Sequence, residues 1–259
     1  MRVPLKDRRV PKGLRRGVSI LPALFTTGNL FFGFWAIIKT LHGQYEHAAP
    51  MIGIAIVLDL LDGRIARMTG TTSEFGGELD SLADVISFGV APAVLVFSWG
   101  FDEALRRPGW VIAFLFVTCG ALRLARFNVQ RNVIDSRYFI GLPIPAGAAQ
   151  IAAVVYAAPD RIADRTVAIA VAVATFCLAL LMVSTLRYRS FKSFDLRSRR
   201  SYIYVVLIAG VIALIITHSQ WMLLAIATFY TVSGPFMQIV SLFRRRGDSP
   251  PPMVPHEAH

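Results

Sequence analysis

Eight long apolar runs constrain this chain more than any other feature of its sequence. They fall at roughly residues 20–41, 48–68, 78–101, 109–127, 143–158, 165–186, 202–218 and 220–243. Each approaches or reaches the length of about 17 to 25 residues that a helix needs to cross a bilayer. Backbone polar groups inside a bilayer must be hydrogen-bonded within the protein, and runs of this length fit helices. The sequence therefore predicts an all-α fold, a polytopic integral membrane bundle of about eight transmembrane helices.

The composition supports a membrane protein and gives its orientation. The 259 residues are 55% hydrophobic and only 17% charged, far from the soluble average. A net charge of +11 could indicate nucleic-acid binding, but the basic residues flank apolar runs instead of forming one stripe, so no nucleic acid is predicted. Of the 27 Lys and Arg residues, 22 fall on the side that holds both ends of the chain. The positive-inside rule predicts cytoplasmic termini in a multi-pass protein of the cell (inner) membrane.

Three regions are expected along the chain. Residues 1–18 are basic and broken by proline, which favours a retained juxtamembrane arm on an anionic membrane surface. Residues 19–243 contain every apolar run and form one membrane domain. Residues 244–259 are rich in proline and have no core to bury, so we expect a disordered tail.

Four carboxylates interrupt the second and third apolar runs. Asp59 and Asp62 are three residues apart, and Asp80 and Asp84 are four apart, so each pair shares one helix face. A carboxylate within a membrane span costs at least about 2.5 kcal/mol, and such residues usually bind something. Four converging like charges would repel each other unless a cation lay among them. Oxygen-only ligands predict Mg²⁺ or Mn²⁺, not Zn²⁺.

The residues between the two pairs are suited to a phosphate ligand. Gly63, Ala66 and Gly76 are small and lie on or near the carboxylate faces, so a bulky ligand could approach the backbone. Arg67 follows Gly63 by four residues, and its guanidinium could pair with a phosphate through two hydrogen bonds. Small residues in membrane helices more often indicate close helix packing. Their combination with four acids and an arginine favours a phosphate site.

These residues form the pattern D-x-x-D-G-x-x-A-R, eight further residues, then G-x-x-x-D-x-x-x-D, without a gap or substitution. The pattern resembles the signature of the CDP-alcohol phosphotransferases, integral membrane enzymes of phospholipid synthesis. The resemblance implies a helical bundle, usually homodimeric, with a polar cavity facing the cytoplasm and two metal ions. It assigns metal binding to Asp59, Asp62, Asp80 and Asp84, the general base to Asp84, and the CDP and phosphate contacts to Gly63, Ala66, Arg67 and Gly76.

Four further stretches resemble the phosphatidylserine synthase branch of that family. They are TTGNLFFGFWAI at 26–37, GALRLARFN at 120–128, YFIGLPIPAGA at 138–148 and SFK at 190–192. The resemblance implies CDP-diacylglycerol and L-serine as substrates, with phosphatidylserine and CMP as products. The candidate residues for the acceptor or a phosphate are Asn29, Arg123, Arg126 and Lys192. We expect Arg123 and Arg126, one turn apart, to face the same headgroup region.

Two alternatives stay open at this point. The same chemistry could use glycerol 3-phosphate or inositol phosphate as the acceptor, because Arg123 and Arg126 could also bind a phosphate. A cation-coupled transporter would also explain acids within membrane spans. It would not explain why those acids come with Gly63, Arg67 and Gly76 at fixed intervals.

Overall fold

The computed structural model describes residues 12–69, 74–105, 107–130, 138–189 and 217–245, together with residues 210 and 214. Its α-helices are α1 (Lys12–Leu41), α2 (Tyr45–Thr69), α3 (Glu74–Asp84), α4 (Ala91–Val96), α5 (Arg107–Gln130), α6 (Ile144–Ala157), α7 (Arg165–Val183) and α8 (Ser219–Arg245). Two short strands are β1 (Tyr138–Ile140) and β2 (Arg187–Arg189). Because α1 begins at Lys12, its first turns lie within the predicted basic arm. The rest of the arm, and the tail from residue 246 onward, lie outside the described residues.

Four helical stretches among the described residues are long and apolar enough to cross a membrane. They are Ala23–Leu41, Glu74–Phe101, Arg107–Val129 and Arg165–Val183, and they coincide with the first, third, fourth and sixth predicted spans. At the second and eighth predicted spans, α2 and α8 are helical but do not belong to this group, and α6 has only 14 residues. The seventh lies almost entirely outside the described residues. The helical class is confirmed, and the count of eight spans stays a prediction.

Small side chains bring the central helices together. The most extensive pairing is between α1 and α2, and α5 also packs on α7, α6 on α8, and α2 on α6. The buried residues of α1 and α2 include Ala36, Ala48, Ala49 and Ala55. Small residues allow the backbones of membrane helices to approach closely. Asp59 and Asp62 therefore lie on a helix that packs closely against α1.

Two π-helical segments lie within the third span. Val85–Val90 directly follows α3, and Phe97–Phe101 follows α4, so the run from Glu74 to Phe101 is helical throughout. A π-helical segment contains an extra residue per turn, and such segments are frequent at functional sites. The first one begins immediately after Asp84 and buries Ser87. It therefore changes the direction of side chains just where the second carboxylate pair ends.

One antiparallel strand pair, which the sequence did not predict, joins the loops after α5 and α7. Phe139 of β1 pairs with Tyr188 of β2. Gly141, the first residue after β1, has a φ of 77° and donates its N–H to the Leu186 carbonyl at 2.8 Å. A Cβ at Gly141 would lie 2.3 Å from the Met182 carbonyl oxygen, so only glycine fits there. The strand pair fixes the entry to α6.

Tyr188 anchors α8 to this strand pair. Its ring is fully buried, and its hydroxyl donates to the Thr231 carbonyl at 3.2 Å. Burial raises the pKa of Tyr188 to about 12. Gly234 leaves room for the ring, because a Cβ there would lie 2.3 Å from the Tyr188 Cζ atom. The helix that contains Tyr230 is thus packed firmly on the bundle.

A polar cluster lies where α1 ends and α2 begins, and we call it the far-end cluster: Tyr45, Trp99, Glu103, Asp160 and Arg161. The Arg161 guanidinium donates to Glu103 at 2.5 Å and to the Tyr45 hydroxyl at 2.9 Å. The Trp99 indole donates to the Asp160 carbonyl at 2.8 Å. The hydrogen bonds with Tyr45 and Glu103 raise the pKa of Arg161, so it stays charged. This cluster ties the loop before α7 to the start of α2.

Candidate functional site

Three of the four aspartates come together between α2 and α3. Asp59, Asp80 and Asp84 each offer a carboxylate oxygen, and these oxygens all lie within 4.8 Å of one another. Asp80 and Asp84 share a face of α3 because they are four residues apart. The packing of α2 near α3 brings the Asp59 carboxylate close to those of Asp80 and Asp84. The group lies toward the end of the bundle where α2 ends and α3 begins, opposite the far-end cluster.

The fourth aspartate, Asp62, faces a different neighbour. It is buried, and its carboxylate accepts a hydrogen bond from the Thr26 hydroxyl of α1. It does not belong to the group formed by Asp59, Asp80 and Asp84. Positions three apart on a helix differ by about 60° in direction, enough for one to face α3 and the other α1. The first pair is therefore shared between two neighbouring helices.

Asn29 lies one turn after Thr26 on α1 and contacts the second carboxylate pair. The Asn29 side chain is fully buried, and its Nδ2 donates to an oxygen of Asp84 at 3.4 Å. The Ser87 hydroxyl donates to the Asn29 carbonyl at 3.1 Å. A Cβ at Gly33 would lie 2.2 Å from the Ser87 Oγ, so glycine is what allows this approach. The Asn29 Oδ1 atom is buried and has no hydrogen-bond partner.

Arg123 reaches the same region from α5. Its side chain is 9% exposed, and its Nε atom is buried without a hydrogen-bond partner. Asp84 and Tyr230 of α8 lie within electrostatic range of its guanidinium. Arg126, one turn further along α5, is exposed. The two arginines that the sequence grouped together thus lie in different surroundings.

The remaining candidates are only partly described. Gly63, Ala66 and Gly76 are half-buried, on α2 and α3 beside the carboxylates. Arg67 belongs to α2, but its side chain lies outside the described part of the chain. Lys192 also lies outside the described residues. The phosphate and acceptor roles of all these candidates stay predictions.

Sequence reasoning missed three residues near the site: Thr26, Ser87 and Tyr230. For Thr26 a signal existed, because Thr26 and Asn29 are three residues apart and share one face of α1. Ser87 follows Asp84 by three residues, but the π-helical segment between them changes its direction. Tyr230 is more than a hundred residues from Arg123 in sequence, and only tertiary packing brings it near.

The chemistry of the carboxylate group matches a divalent cation. Asp59, Asp80 and Asp84 come from two helices, and Asp84 is buried. Negative charges this close in a partly desolvated place repel each other, and a cation offsets that repulsion. The ligand atoms are all oxygens, as Mg²⁺ and Mn²⁺ prefer. The residues present therefore fit a hard divalent metal ion.

Comparison with known proteins gives one family and a consistent group of relatives. Residues 19–183 match the family model described as CDP-alcohol phosphatidyltransferase. A CDP-diacylglycerol–serine O-phosphatidyltransferase of Helicobacter pylori is 40% identical over 176 residues, covering 67% of this chain and 73% of the relative. A protein with the same name from Methanocaldococcus jannaschii is 37% identical over 218 residues, covering 84% and 94%. An archaetidylserine synthase of Methanothermobacter thermautotrophicus is 41% identical over 133 residues, covering 51% and 55%.

Proposed function

The chain belongs to the CDP-alcohol phosphatidyltransferase family, and from this premise we propose that it transfers a phosphatidyl group from CDP-diacylglycerol to the hydroxyl of L-serine. The products are phosphatidylserine and CMP. Serine appears in the name of each relative described above, whereas the lipid part of the name differs between them. The observation that carries the proposal is the approach of the Asp59, Asp80 and Asp84 oxygens to within 4.8 Å.

The proposed cofactor is a pair of Mg²⁺ or Mn²⁺ ions held by Asp59, Asp62, Asp80 and Asp84. Such ions, when bound, offset the charge of the diphosphate and of the leaving phosphate. Asp62 lies on the same helix as Asp59, and its hydrogen bond from Thr26 holds its carboxylate in one orientation. A partner that orients a ligand in this way is typical of metal sites.

Asp84 is the proposed general base. The serine hydroxyl oxygen attacks the phosphorus that carries the diacylglycerol group, the bond from that phosphorus to the CMP oxygen breaks, and the hydroxyl proton passes to Asp84. Asp84 is suited to this role because it is buried and is contacted from α1 by Asn29. A base must reach the proton it removes, and its position is the first requirement.

The donor lipid is proposed to lie over the small residues Gly63, Ala66 and Gly76, where a diphosphate can approach the backbone. Arg67 would pair with one phosphate through its planar guanidinium. All these residues belong to the end of the bundle with most of the basic connections. We therefore propose that this end faces the cytoplasm, where CMP can leave, in a homodimer embedded in the cell membrane.

An acceptor competition tests this proposal. Purified protein with CDP-diacylglycerol and Mn²⁺ should release CMP when L-serine is added, and the lipid product should be phosphatidylserine. Glycerol 3-phosphate and inositol phosphate should give little CMP under the same conditions. Release of CMP with either phosphate-bearing acceptor, but not with serine, would refute the choice of acceptor and leave the reaction class in place. Family membership argues against the transporter hypothesis.

A further inference from the structure

Two buried polar atoms without hydrogen-bond partners lie near Asp84. One is Asn29 Oδ1, an acceptor on α1, and the other is Arg123 Nε, a donor on α5. The Asn29 amide nitrogen donates a hydrogen bond to Asp84, and the Arg123 guanidinium lies within electrostatic range of the same carboxylate. Native proteins satisfy most buried polar atoms, so an unmatched acceptor and an unmatched donor beside one carboxylate indicate a ligand that has both kinds of group.

We propose that Asn29 and Arg123 recognise the two charged groups of an amino-acid acceptor. The Arg123 guanidinium binds the carboxylate, Asn29 Oδ1 accepts a hydrogen bond from the ammonium, and the hydroxyl is directed to Asp84. This inference rests on the proposed function, because it takes L-serine as the acceptor. It goes further by dividing recognition between α1 and α5 and by excluding Arg126 from it.

The charges near Asp84 favour a zwitterion over a phosphate ester. Arg123 is the one buried cation among residues whose side chains the structure describes, and Arg126 is exposed. A phosphate ester carries up to two negative charges and no ammonium, so it would offer Asn29 Oδ1 only neutral hydroxyl donors and would add net negative charge beside three carboxylates. A zwitterion has no net charge and supplies both the acceptor that Arg123 needs and the donor that Asn29 needs.

Both recognition groups lie on packed helices. The Ser87 hydroxyl donates to the main-chain carbonyl of Asn29, and Gly33 permits that contact, so the α1 backbone that carries Asn29 is tied to the π-helical segment after Asp84. A carboxylate can only accept hydrogen bonds, so the Asn29 amide nitrogen faces Asp84 and its oxygen is turned elsewhere. Arg123 packs in the bundle near Tyr230 of α8.

Serine analogues that lack one charge test the proposal directly. L-serine methyl ester has no carboxylate, and 3-hydroxypropionate has no ammonium. With CDP-diacylglycerol and Mn²⁺, wild-type protein should prefer L-serine over either analogue by about ten- to a hundredfold in kcat/KM, the size expected for one hydrogen bond to a charged group. The preference should arise mainly from KM, because these groups bind the acceptor and do not react.

Matched variants then assign each preference to one residue. Arg123→Gln should reduce the preference for serine over its methyl ester to within about threefold, whereas Arg126→Gln on the same helix should retain it. Asn29→Leu should reduce the preference over 3-hydroxypropionate. Thr27→Val should retain it, because the Thr27 hydroxyl is bonded to the Ala23 carbonyl of its own helix.

A second readout separates recognition from folding. A variant whose melting temperature still rises with CDP-diacylglycerol and Mn²⁺ is folded and binds the donor. If Arg123→Gln fails this check, Arg123→Lys replaces it; lysine keeps the charge but lacks the planar fork, and should still lose most of the discrimination.

The possible failures are distinguishable. If wild-type protein does not use serine, the proposed function is wrong. If it uses serine but does not distinguish the analogues, or if Arg126→Gln and not Arg123→Gln removes the distinction, the proposed function stands and this inference is wrong.

Discussion

The two ends of this bundle hold polar clusters of opposite character. In the far-end cluster, Arg161 has partners in Tyr45 and Glu103, and the Arg161 and Glu103 side chains are largely exposed. At the other end Asp84 and Arg123 are buried, and one Arg123 nitrogen has no hydrogen-bond partner. A satisfied, exposed cluster adds modestly to stability, whereas a buried cluster with unmatched groups reduces it. The difference indicates that the far-end cluster has a modest structural role and that the other end is built for a ligand.

The largest expected difference between the two ends is the side of the membrane that each one faces. In a Cys119→Ser, Cys177→Ser background, an impermeant maleimide should label Gln44→Cys and Asp160→Cys at the far end only from outside the cell. Ser193→Cys and Ser249→Cys, beyond the described residues, should be labelled only from the cytoplasm. The expected contrast is all or none, because the basic residues favour one orientation. Labelling of Ser193→Cys from outside would reverse the proposed topology.

The next largest effect is expected at the buried end. Asp84→Asn keeps the shape of the side chain and removes its basicity, so turnover should fall at least about a hundredfold. Stability should not fall, because the substitution removes one of three carboxylates that repel each other. Steady-state CMP release measures the turnover, and thermal unfolding of the same preparation measures the stability. Activity above about one per cent of wild type would contradict the role as general base.

How far the sequence predicts this site depends on which helix supplies the contact. The approach of Asp80 to Asp84 follows from their spacing on one helix. Their convergence with Asp59 and Asp62 was expected from the paired acids. The structure brings Asp59 to Asp80 and Asp84 but turns Asp62 toward Thr26. The predicted family is confirmed by the family model, which matches residues 19–183. The four helical stretches that coincide with the first, third, fourth and sixth predicted spans lie within that range.

Contacts between distant segments could not be predicted in the same way. The spacing of Asp59 and Asp62 indicates a shared face, but it does not reveal that Asp62 is bonded to Thr26, 36 residues earlier. The spacing of Arg123 and Arg126 likewise does not tell which one is buried. In both cases a difference of about 60° around the helix decides the surroundings, and only packing determines that angle relative to a neighbour.

The hydrogen bond between α1 and α2 allows an intermediate test. Thr26→Val removes the hydroxyl that donates to Asp62 and preserves the size of the side chain. If Asp62 is a metal ligand, the Mn²⁺ concentration for half-maximal activity should rise about tenfold, the lower limit usual for losing a partner of a ligand. Stabilisation of the protein by Mn²⁺ without substrate should weaken in parallel.

Thr27→Val is the matched control for this experiment, because the Thr27 hydroxyl is bonded within α1 and does not reach an aspartate. An unchanged Mn²⁺ requirement in Thr26→Val would mean that Asp62 does not depend on this bond. The two ends of the bundle would then differ less than the comparison implies, since the hydrogen bond to Asp62 would be structural, like those of Arg161.

The smallest effect is expected at the far end, where Arg161→Gln removes the charge that joins Tyr45 to Glu103. Exposed ion pairs contribute about 0–1 kcal/mol, so the melting temperature should fall by no more than about 4 °C. Turnover should stay within about twofold of wild type, because the site lies at the opposite end. Arg165→Gln, an exposed arginine at the start of α7, is the matched control and should change neither quantity.

The pH dependence of the loss of melting temperature in Arg161→Gln distinguishes the effect of the arginine from that of its neighbours. The pKa of Arg161 is raised in the folded protein, so the stability it contributes is fully present below the usual arginine pKa and is lost only at more alkaline pH. The difference in melting temperature between wild type and Arg161→Gln should therefore be the same at pH 7 and pH 9.

A large loss of turnover in Arg161→Gln, with donor binding intact, would show that the far end also takes part in catalysis, and the division between the two ends would have to be abandoned.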